Sequence, residues 1–244
     1  MERRRREKMI IYAHRGASEY APENTMSSFY LGLLQGANGI ETDVQITKDG
    51  VLVLFHDDML NRVTDATGEI ADYTYEEIKR IKVFGNSVTG FYDHIVTFEQ
   101  FLETFFSYDI RFAIELKKGN VEQGVIDLIK KYGIEHKVTL TSFKFDYLKK
   151  VKEIDPKLRI GWLVAGDGCE NIERLKQIGG EEMAPRASAM TQESVDKLKA
   201  VGLGVRAWGV VNQDLMKRMC QFHVDGMTVN FPDRLVLYTT ADTH

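Results

Sequence analysis

The sequence has few cysteines, few prolines and no long apolar run. Its two cysteines, Cys169 and Cys220, match no metal-site spacing and form no disulfide framework, so we expect reduced thiols and a reducing compartment. The basic N-terminal stretch is not followed by the apolar segment and small-residue cleavage site that a secretory signal requires. We therefore expect a cytoplasmic protein without stable membrane insertion.

The chain also lacks an excess of positive charge. Its formal net charge of -4 and isoelectric point near 5.9 argue against nucleic-acid binding, which needs a clustered positive field. A mean hydropathy of -0.27 excludes an integral membrane protein. The sequence leaves open whether the chain forms a homo-oligomer.

Strand and helix patterns alternate along the chain. Short apolar segments typical of strands lie near residues 10, 40, 111, 137, 158, 182, 204 and 226, and each except the last precedes a clear helical pattern. We expect the final helix to be short or truncated. Eight βα units in 244 residues predict an α/β protein with a closed (β/α)8 TIM barrel. An open doubly wound sheet is the alternative.

The alternation breaks after the second predicted strand. Residues from about 45 to 96 contain a turn at 48–50, an apolar run at 51–55 and a helical pattern at 74–81. We interpret this segment as a small insertion that carries His56. The sequence contains no repeat and no proline- or glycine-rich linker, so we expect residues 1–244 to form one domain.

Polar and aromatic residues fall at the predicted carboxyl ends of the strands. In TIM barrels this end carries the βα loops and the active site. In strand order, these residues are His14 and Arg15, Glu41 and Asp43, Glu115 and Lys117, Ser142 and Phe143, Arg186, Trp208 and Asn230. The sequence therefore predicts a functional site at this end of the barrel.

Three carboxylates in this set predict a cation site. Glu41 and Asp43 are two residues apart in a strand, so their side chains leave the same face. Together with Glu115 they would repel each other strongly unless a cation neutralised them. We expect one divalent cation, Mg²⁺ or Ca²⁺, since an all-carboxylate set accommodates both. A solvated strand edge, or an ion pair of Glu115 with Lys117, remains an alternative.

Two histidines accompany the carboxylates. His14 and His56 are suited to proton transfer near neutral pH, although each could be a structural histidine. Arg15, Lys117 and a cation would supply the positive charge that attack on an anionic phosphodiester requires.

Two aromatic residues complete the predicted site. Phe143 and Trp208 would form apolar walls for a small organic group, with a purely structural role as the alternative. The other histidines have no companion groups, and we assign them no role.

Seven ordered motifs resemble the signature of the glycerophosphodiester phosphodiesterase family. They are His14-Arg15-Gly16, Pro22-Glu23-Asn24-Thr25, Glu41-x-Asp43, His56-Asp57, Glu115-Leu116-Lys117, Trp208 followed by Asn212, and Asn230-Phe231-Pro232. The resemblance extends from about residue 9 to 237. It implies a (β/α)8 barrel with a small insertion after the second strand, a divalent cation, and hydrolysis of glycerophosphodiesters to sn-glycerol 3-phosphate and an alcohol.

The resemblance also implies a role for each matching residue. The implied roles are acid/base catalysis for His14 and His56; metal binding for Glu41, Asp43 and Glu115; phosphate contact for Arg15 and Lys117; and a wall against glycerol for Trp208. Glu23 and Asn24 would line the site, with Asn24 contacting phosphate or orienting His14. The chain departs from the family pattern at Val96, where a proline is frequent, and at Gly209, where a threonine is frequent. Neither position is a proposed catalytic group.

Three other functions remain open from the sequence. A lysophospholipase D-type phosphodiesterase would use the same site but need an apolar groove, which no stretch of the sequence clearly supplies. A Schiff-base aldolase would use Lys117 as its nucleophile. A barrel that only binds phosphoesters would need no catalytic histidines. We expect the partner to be a small-molecule glycerophosphodiester.

Overall fold

The structure, a computed structural model, describes residues 9–85 and 91–241. The elements in chain order are β1 (Ile10–His14), α1 (Met26–Leu34), β2 (Gly39–Ile46), β3 (Leu52–Leu54), α2 (Tyr75–Ile78), β4 (Lys82–Phe84), β5 (Tyr92–His94), α3 (Phe98–Phe105), β6 (Arg111–Leu116), α4 (Glu122–Lys131), β7 (Val138–Ser142), α5 (Phe145–Ile154), β8 (Arg159–Val164), α6 (Ile172–Gln177), β9 (Glu182–Pro185), α7 (Gln192–Ala200), β10 (Gly204–Val210), α8 (Gln213–Gln221), β11 (Gly226–Val229) and α9 (Pro232–Ala241). No helix among these described residues is both long enough and apolar enough to cross a bilayer.

Eight parallel strands close into a barrel. They follow the order β1-β11-β10-β9-β8-β7-β6-β2, and β1 also pairs with β2. Because β1 has a partner on both edges, the sheet has no free edge at this point. The predicted TIM barrel is confirmed, and the open doubly wound sheet is wrong.

The strand register brings the predicted site residues together. His14 of β1 is the pairing partner of Glu41 of β2, and Asp43 of β2 is the partner of Glu115 of β6. Three neighbouring strands therefore deliver four ionisable side chains to one end of the barrel.

The chain between β2 and α3 forms the predicted insertion. β3 continues the sheet by pairing antiparallel with the end of β2, and the amide of Phe55 donates to the carbonyl of Asp43. The insertion has its own apolar cluster, which contains Val53, Phe55, Leu60, Val63, Ile70, Ile78, Val83 and Ile95. This packing holds His56, the residue after Phe55, at the barrel end where β2 finishes.

Two predictions about elements are wrong. The last helix is not truncated: α9 has ten residues, begins at Pro232 and buries Leu235. Proline is favoured at a first helical position because its missing N–H has no partner there and its φ is already helical. The helix predicted at 74–81 is limited to Tyr75–Ile78, and the chain then enters a hairpin of β4 and β5 that the sequence pattern did not indicate.

An ion pair lies inside the barrel below the mouth. Arg206 of β10 donates from Nε to Glu182 Oε1 at 2.8 Å and from Nη1 to Thr228 Oγ1 at 2.9 Å. Arg206 is 1% exposed and Glu182 is 7% exposed. Removing one partner of such a buried pair leaves an uncompensated charge in the interior.

We expect Arg206→Met to lower the free energy of unfolding by about 3–5 kcal/mol, because Glu182 would lose its buried countercharge. The double variant Arg206→Met/Glu182→Gln should recover part of this loss. Urea denaturation of both variants measures the effect. A single variant within about 1 kcal/mol of the wild type would contradict it.

Candidate active site

Three buried carboxylates form a cluster at the carboxyl ends of β2 and β6. Glu41 is 4% exposed, Asp43 is 0% exposed and Glu115 is 7% exposed. One carboxylate oxygen from each lies within 4.8 Å of the others. The structure therefore brings together the three residues that the sequence suggested as metal ligands.

The protonation of these carboxylates reflects burial and mutual repulsion. Burial and the charges of Asp43 and Glu115 raise the pKa of Glu41 well above its usual range. Burial and Asp43 raise the pKa of Glu115 to about 7. Burial also acts to raise the pKa of Asp43, but positive neighbours, first among them Arg15, outweigh it and hold that pKa low. Full ionisation of the cluster is unfavourable without a cation.

The oxygen atoms of Asp43 show that a cation fits this cluster. Asp43 Oδ2 accepts a hydrogen bond from Asn24 Nδ2 at 2.9 Å. The other oxygen, Oδ1, is buried without a hydrogen-bond partner among the described residues, and Lys117 Nζ lies 3.8 Å away from it. A buried carboxylate oxygen that has no donor among the described residues and lies beside two further carboxylates matches the oxygen ligands that Mg²⁺ and Ca²⁺ prefer.

Because ionisation of buried Glu115 destabilises the folded state, we expect Glu115→Gln to change the folding stability in a pH-dependent way. In chelator, we expect this variant to be more stable than the wild type by about 3 kcal/mol at about pH 8. A carboxyl whose pKa is raised on folding binds more protons in the folded state than in the unfolded state. The free energy of unfolding therefore falls as the pH rises above the usual pKa of 4.5, and this loss is complete above about pH 7. The advantage should therefore vanish near pH 4.

Urea denaturation at both pH values measures this difference, with Glu135→Gln, an exposed site, as the matched control. Added Mg²⁺ or Ca²⁺ should reverse the order at about pH 8, since the wild type would bind the cation more tightly. A Glu115→Gln variant less stable than the wild type in chelator would contradict the account.

His14 ends β1 beside this cluster. Its Nδ1 lies 2.5 Å from Asn230 Oδ1, an atom that only accepts hydrogen bonds, so Nδ1 carries the proton. Nε2 then presents its lone pair and lies 3.9 Å from Glu41 Oε2. Burial and the charge of Arg15 lower the pKa of His14 to about 3. The imidazole is therefore neutral, with Nε2 unprotonated.

His56 follows β3 and reaches the mouth from the insertion. Its Nδ1 lies 2.5 Å from Asp57 Oδ1, so Nδ1–H donates and Nε2 is left for other groups. The side chains of His14 and His56 are each 30% exposed, which leaves both accessible to a small molecule.

The loop after β1 has an unusual backbone that aims its side chains. Arg15 has φ of 55° and Asn24 has φ of 56°, in the left-handed region that residues other than glycine seldom occupy. Gly16 has φ of 82°, and a Cβ there would lie 2.3 Å from the carbonyl carbon of Ser28. Arg15 Nη1 consequently donates to Glu23 Oε1 at 3.0 Å, and Nε lies 3.1 Å from Asp43 Oδ2.

Lys117 is the second cation at the mouth. Its Nζ donates to Glu115 Oε1 at 2.9 Å. Burial lowers the pKa of Lys117, but Asp43 and Glu115 outweigh burial and raise it. Lys117 is therefore an ammonium ion, which does not have the free electron pair that a Schiff base requires.

Two aromatic rings form one wall of the mouth. Phe143 and Trp208 meet edge to face with ring centroids 5.0 Å apart, and Trp208 Nε1 donates to the carbonyl of Val164 at 3.0 Å. Phe143 is 41% exposed. This edge-to-face pair presents a rigid apolar surface close to both histidines.

Two adjoining cavities open at this end. A pocket of about 160 Å³ is lined by both histidines and the two aromatic rings, and also by Arg206 and Thr228. A wider groove of about 660 Å³ runs beside it along the insertion. His56, Glu115 and Phe143 line both cavities. A ligand with two ends can therefore place one in each cavity and its centre beside His56, Glu115 and Phe143.

Sequence reasoning missed two residues of the site. Arg206 was missed because a basic residue inside a strand gives no signal of the ion pair it makes across the barrel. Arg62 ends a three-residue 3-10 helix of the insertion and contacts both Asp57 and Glu23. No periodicity marks Arg62, and only its position six residues after His56 associates it with the site.

Solved structures identify the general class of this protein. A phosphodiesterase from Oleispira antarctica, solved with the product sn-glycerol-3-phosphate, has a TM-score of 0.83 and 26% identity, and the match covers 96% of this chain and 97% of that chain. A glycerophosphodiester phosphodiesterase from Agrobacterium tumefaciens has a TM-score of 0.79 and 25% identity over 93% and 98% of the two chains. The chain is a phosphoric diester hydrolase built on a (β/α)8 barrel.

Sequence comparison gives the family. The model of the glycerophosphoryl diester phosphodiesterase family matches residues 14–234, and the chain belongs to this family. A glycerophosphodiester phosphodiesterase from Caldanaerobacter subterraneus subsp. tengcongensis is 34% identical over 94% of this chain and 97% of its own length. One from Bacillus altitudinis is 35% identical over 93% and 96%. The resemblance seen in the seven motifs is confirmed.

Proposed function

We propose that the protein hydrolyses glycerophosphodiesters, such as glycerophosphocholine and glycerophosphoethanolamine, to sn-glycerol 3-phosphate and an alcohol. The observation that carries this proposal is the position of two histidines beside a buried triad of carboxylates at the barrel mouth. The product complex of the Oleispira antarctica phosphodiesterase supports the same product here. The substrate is a small molecule that spans the pocket and the groove.

Glu41, Asp43 and Glu115 would hold one divalent cation, Mg²⁺ or Ca²⁺. When bound, the cation supplies positive charge that stabilises the phosphoryl oxygens and favours ionisation of a nearby hydroxyl. The cluster fits such an ion because Asp43 Oδ1 has no hydrogen-bond donor. Arg15 lies beside Asp43 and Lys117 lies beside Glu115, so both cations would contact the phosphate of a substrate bound at this cluster.

His14 and His56 would act as the acid/base pair. Each uses Nδ1 in a hydrogen bond to an oxygen acceptor, so each has Nε2 available for proton transfer. One removes the proton of the attacking hydroxyl, and the other protonates the leaving alcohol. In the first step the 2-hydroxyl of glycerol attacks phosphorus and the alcohol leaves, which gives a cyclic phosphate. Water then opens this cyclic phosphate to sn-glycerol 3-phosphate, with the two histidine roles exchanged.

The remaining predicted residues would position the substrate. Phe143 and Trp208 would contact the carbon atoms of glycerol. Asn24 holds Asp43 through its amide nitrogen and accepts a hydrogen bond from Thr42 Oγ1 at 2.8 Å, so it would orient a metal ligand and not His14. Glu23 would hold Arg15 in place by the hydrogen bond to Nη1.

The lining of the wider groove disfavours a lipid substrate. Its charged residues include Asp57, Asp58, Arg62, Lys117 and Lys144. Among the residues that the structure describes, its only large exposed apolar side chains are Met59 and Phe143. An acyl chain would gain little from such a surface and would desolvate its charges. The ammonium state of Lys117 likewise disfavours an aldolase.

The product identifies the reaction. ³¹P NMR of a reaction with glycerophosphocholine should show sn-glycerol 3-phosphate and no phosphocholine, because the leaving group departs as the free alcohol. Lysophosphatidylcholine at the same concentration should react far more slowly. Faster turnover of lysophosphatidylcholine than of glycerophosphocholine would contradict this proposal and would indicate a lysophospholipase D-type enzyme.

The insertion delivers His56 to the barrel mouth, which supports the proposal that the chain acts as one domain. We also propose a cytoplasmic location, which the low number of cysteines favours: Cys169 and Cys220 are the two that the sequence contains.

A further inference from the structure

Alternating charges connect the insertion to the barrel mouth. Asp57 contacts His56 Nδ1 through Oδ1 and Arg62 Nε through Oδ2, each at 2.5 Å. The two terminal nitrogens of Arg62 donate to the two oxygens of Glu23, at 2.9 and 2.6 Å. Glu23 Oε1 also accepts from Arg15 Nη1 at 3.0 Å. These contacts join His56, Asp57, Arg62, Glu23 and Arg15 in one continuous network.

We propose that Arg62 is a positioning residue that holds His56 at the correct place for proton transfer, acting through Asp57 and using Glu23 as its anchor on the barrel. This inference rests on the proposed function, in which His56 is one of the two acid/base groups. Arg62 acts through other side chains and is assigned no contact with the reacting atoms.

Glu23 can fix the position of Arg62 because Glu23 is itself buried in a loop of the barrel. Glu23 follows β1 in the loop that carries Arg15, and it is 8% exposed. Burial raises the pKa of Glu23, but Arg62 and Arg15 outweigh burial and hold the pKa below its usual range. Glu23 is therefore a carboxylate fixed between two guanidinium groups.

The geometry requires an arginine. A planar guanidinium can donate along one edge to a carboxylate in bidentate fashion while Nε donates to a second acceptor. Lysine has one nitrogen on a flexible stem and cannot bridge Asp57 and Glu23 with the same orientation. The side chain of Arg62 is 45% exposed, and ion pairs so exposed contribute little to folding stability. A large effect on catalysis with a small effect on stability is therefore the signature of the proposed role.

The test compares Arg62→Ala, Arg62→Lys and His56→Ala in the full-length protein, loaded with Mg²⁺ or Ca²⁺. Arg80→Ala is the matched control, since Arg80 is an exposed arginine of the same insertion. Release of sn-glycerol 3-phosphate is measured with and without guanidinium chloride at millimolar concentration. Thermal melting of each variant reports stability separately.

We expect Arg62→Ala to lower kcat by about 10²-fold with little change in KM, because a small displacement of an acid/base group costs about this much. Arg62→Lys should remain impaired although it keeps the charge. Free guanidinium should restore part of the activity of Arg62→Ala and none of that of His56→Ala. Arg80→Ala should match the wild type.

Other results would contradict either the positioning role of Arg62 or the catalytic role of His56. Full activity of Arg62→Ala beside an inactive His56→Ala would refute the positioning role alone. Full activity of His56→Ala would refute the proposed catalytic role of that histidine. If Arg62→Ala does not fold, Arg62→Lys with near wild-type kcat would refute the inference.

Discussion

His14→Ala and His56→Ala are each expected to lower kcat for release of sn-glycerol 3-phosphate by about 10²–10⁴-fold, the usual contribution of a general acid or base. Each histidine has its Nδ1 engaged by an oxygen, at Asn230 for His14 and at Asp57 for His56, so each offers one free nitrogen to the substrate. Binding should change less than turnover, because phosphate would be held by Arg15, Lys117 and the cation.

The histidine variants are compared with His94→Ala and His136→Ala, which lie outside the two cavities at the mouth. These controls should keep wild-type kcat. Near wild-type activity in both His14→Ala and His56→Ala would refute the acid/base assignment. If only one variant loses activity, water or another group performs the second proton transfer, and the two-histidine mechanism is wrong.

Asp43→Asn has the second large expected effect: a loss of about 10³-fold or more in kcat/KM, because a metal ion supplies several kcal/mol of transition-state stabilisation. Asp43 is fully buried, its Oδ1 is free for a cation, and its Oδ2 is oriented by Asn24. An amide there would remove the negative charge between Arg15 and Lys117 and weaken cation binding.

Isothermal titration with Mg²⁺ and Ca²⁺ separates this effect from a direct catalytic one. The wild type should bind one cation per chain, and Asp43→Asn should bind it much more weakly. Asp109→Asn, at an exposed site, serves as the control and should bind as the wild type does. Unchanged cation affinity in Asp43→Asn would show that the triad is not the metal site.

The barrel and the acidic triad could be predicted from the sequence because both depend on local patterns. Glu41 and Asp43 alternate in a strand, and parallel strands of a barrel end on the same face. The observed register adds only which residues are neighbours, such as Asp43 beside Glu115. Hydrophobic periodicity and strand ends were sufficient for this part of the site.

The insertion could not be predicted at the same level. Its short elements, such as the three-residue strands β4 and β5, are too brief for a periodicity to be recognised. The contacts of Arg62 join residues 39 positions apart in the chain, and no local pattern specifies such a pairing. The length of α9 was also missed, because its pattern starts at a proline and lies at the end of the chain.

The most direct test of the account measures release of sn-glycerol 3-phosphate from glycerophosphocholine and glycerophosphoethanolamine by a coupled dehydrogenase assay. The reaction is run after chelation and again after Mg²⁺ or Ca²⁺ is restored. We expect chelation to abolish release and at least one of the two cations to restore it with both substrates. Release that continues unchanged in chelator would contradict the metal site, and no release with either cation would contradict the proposed substrate.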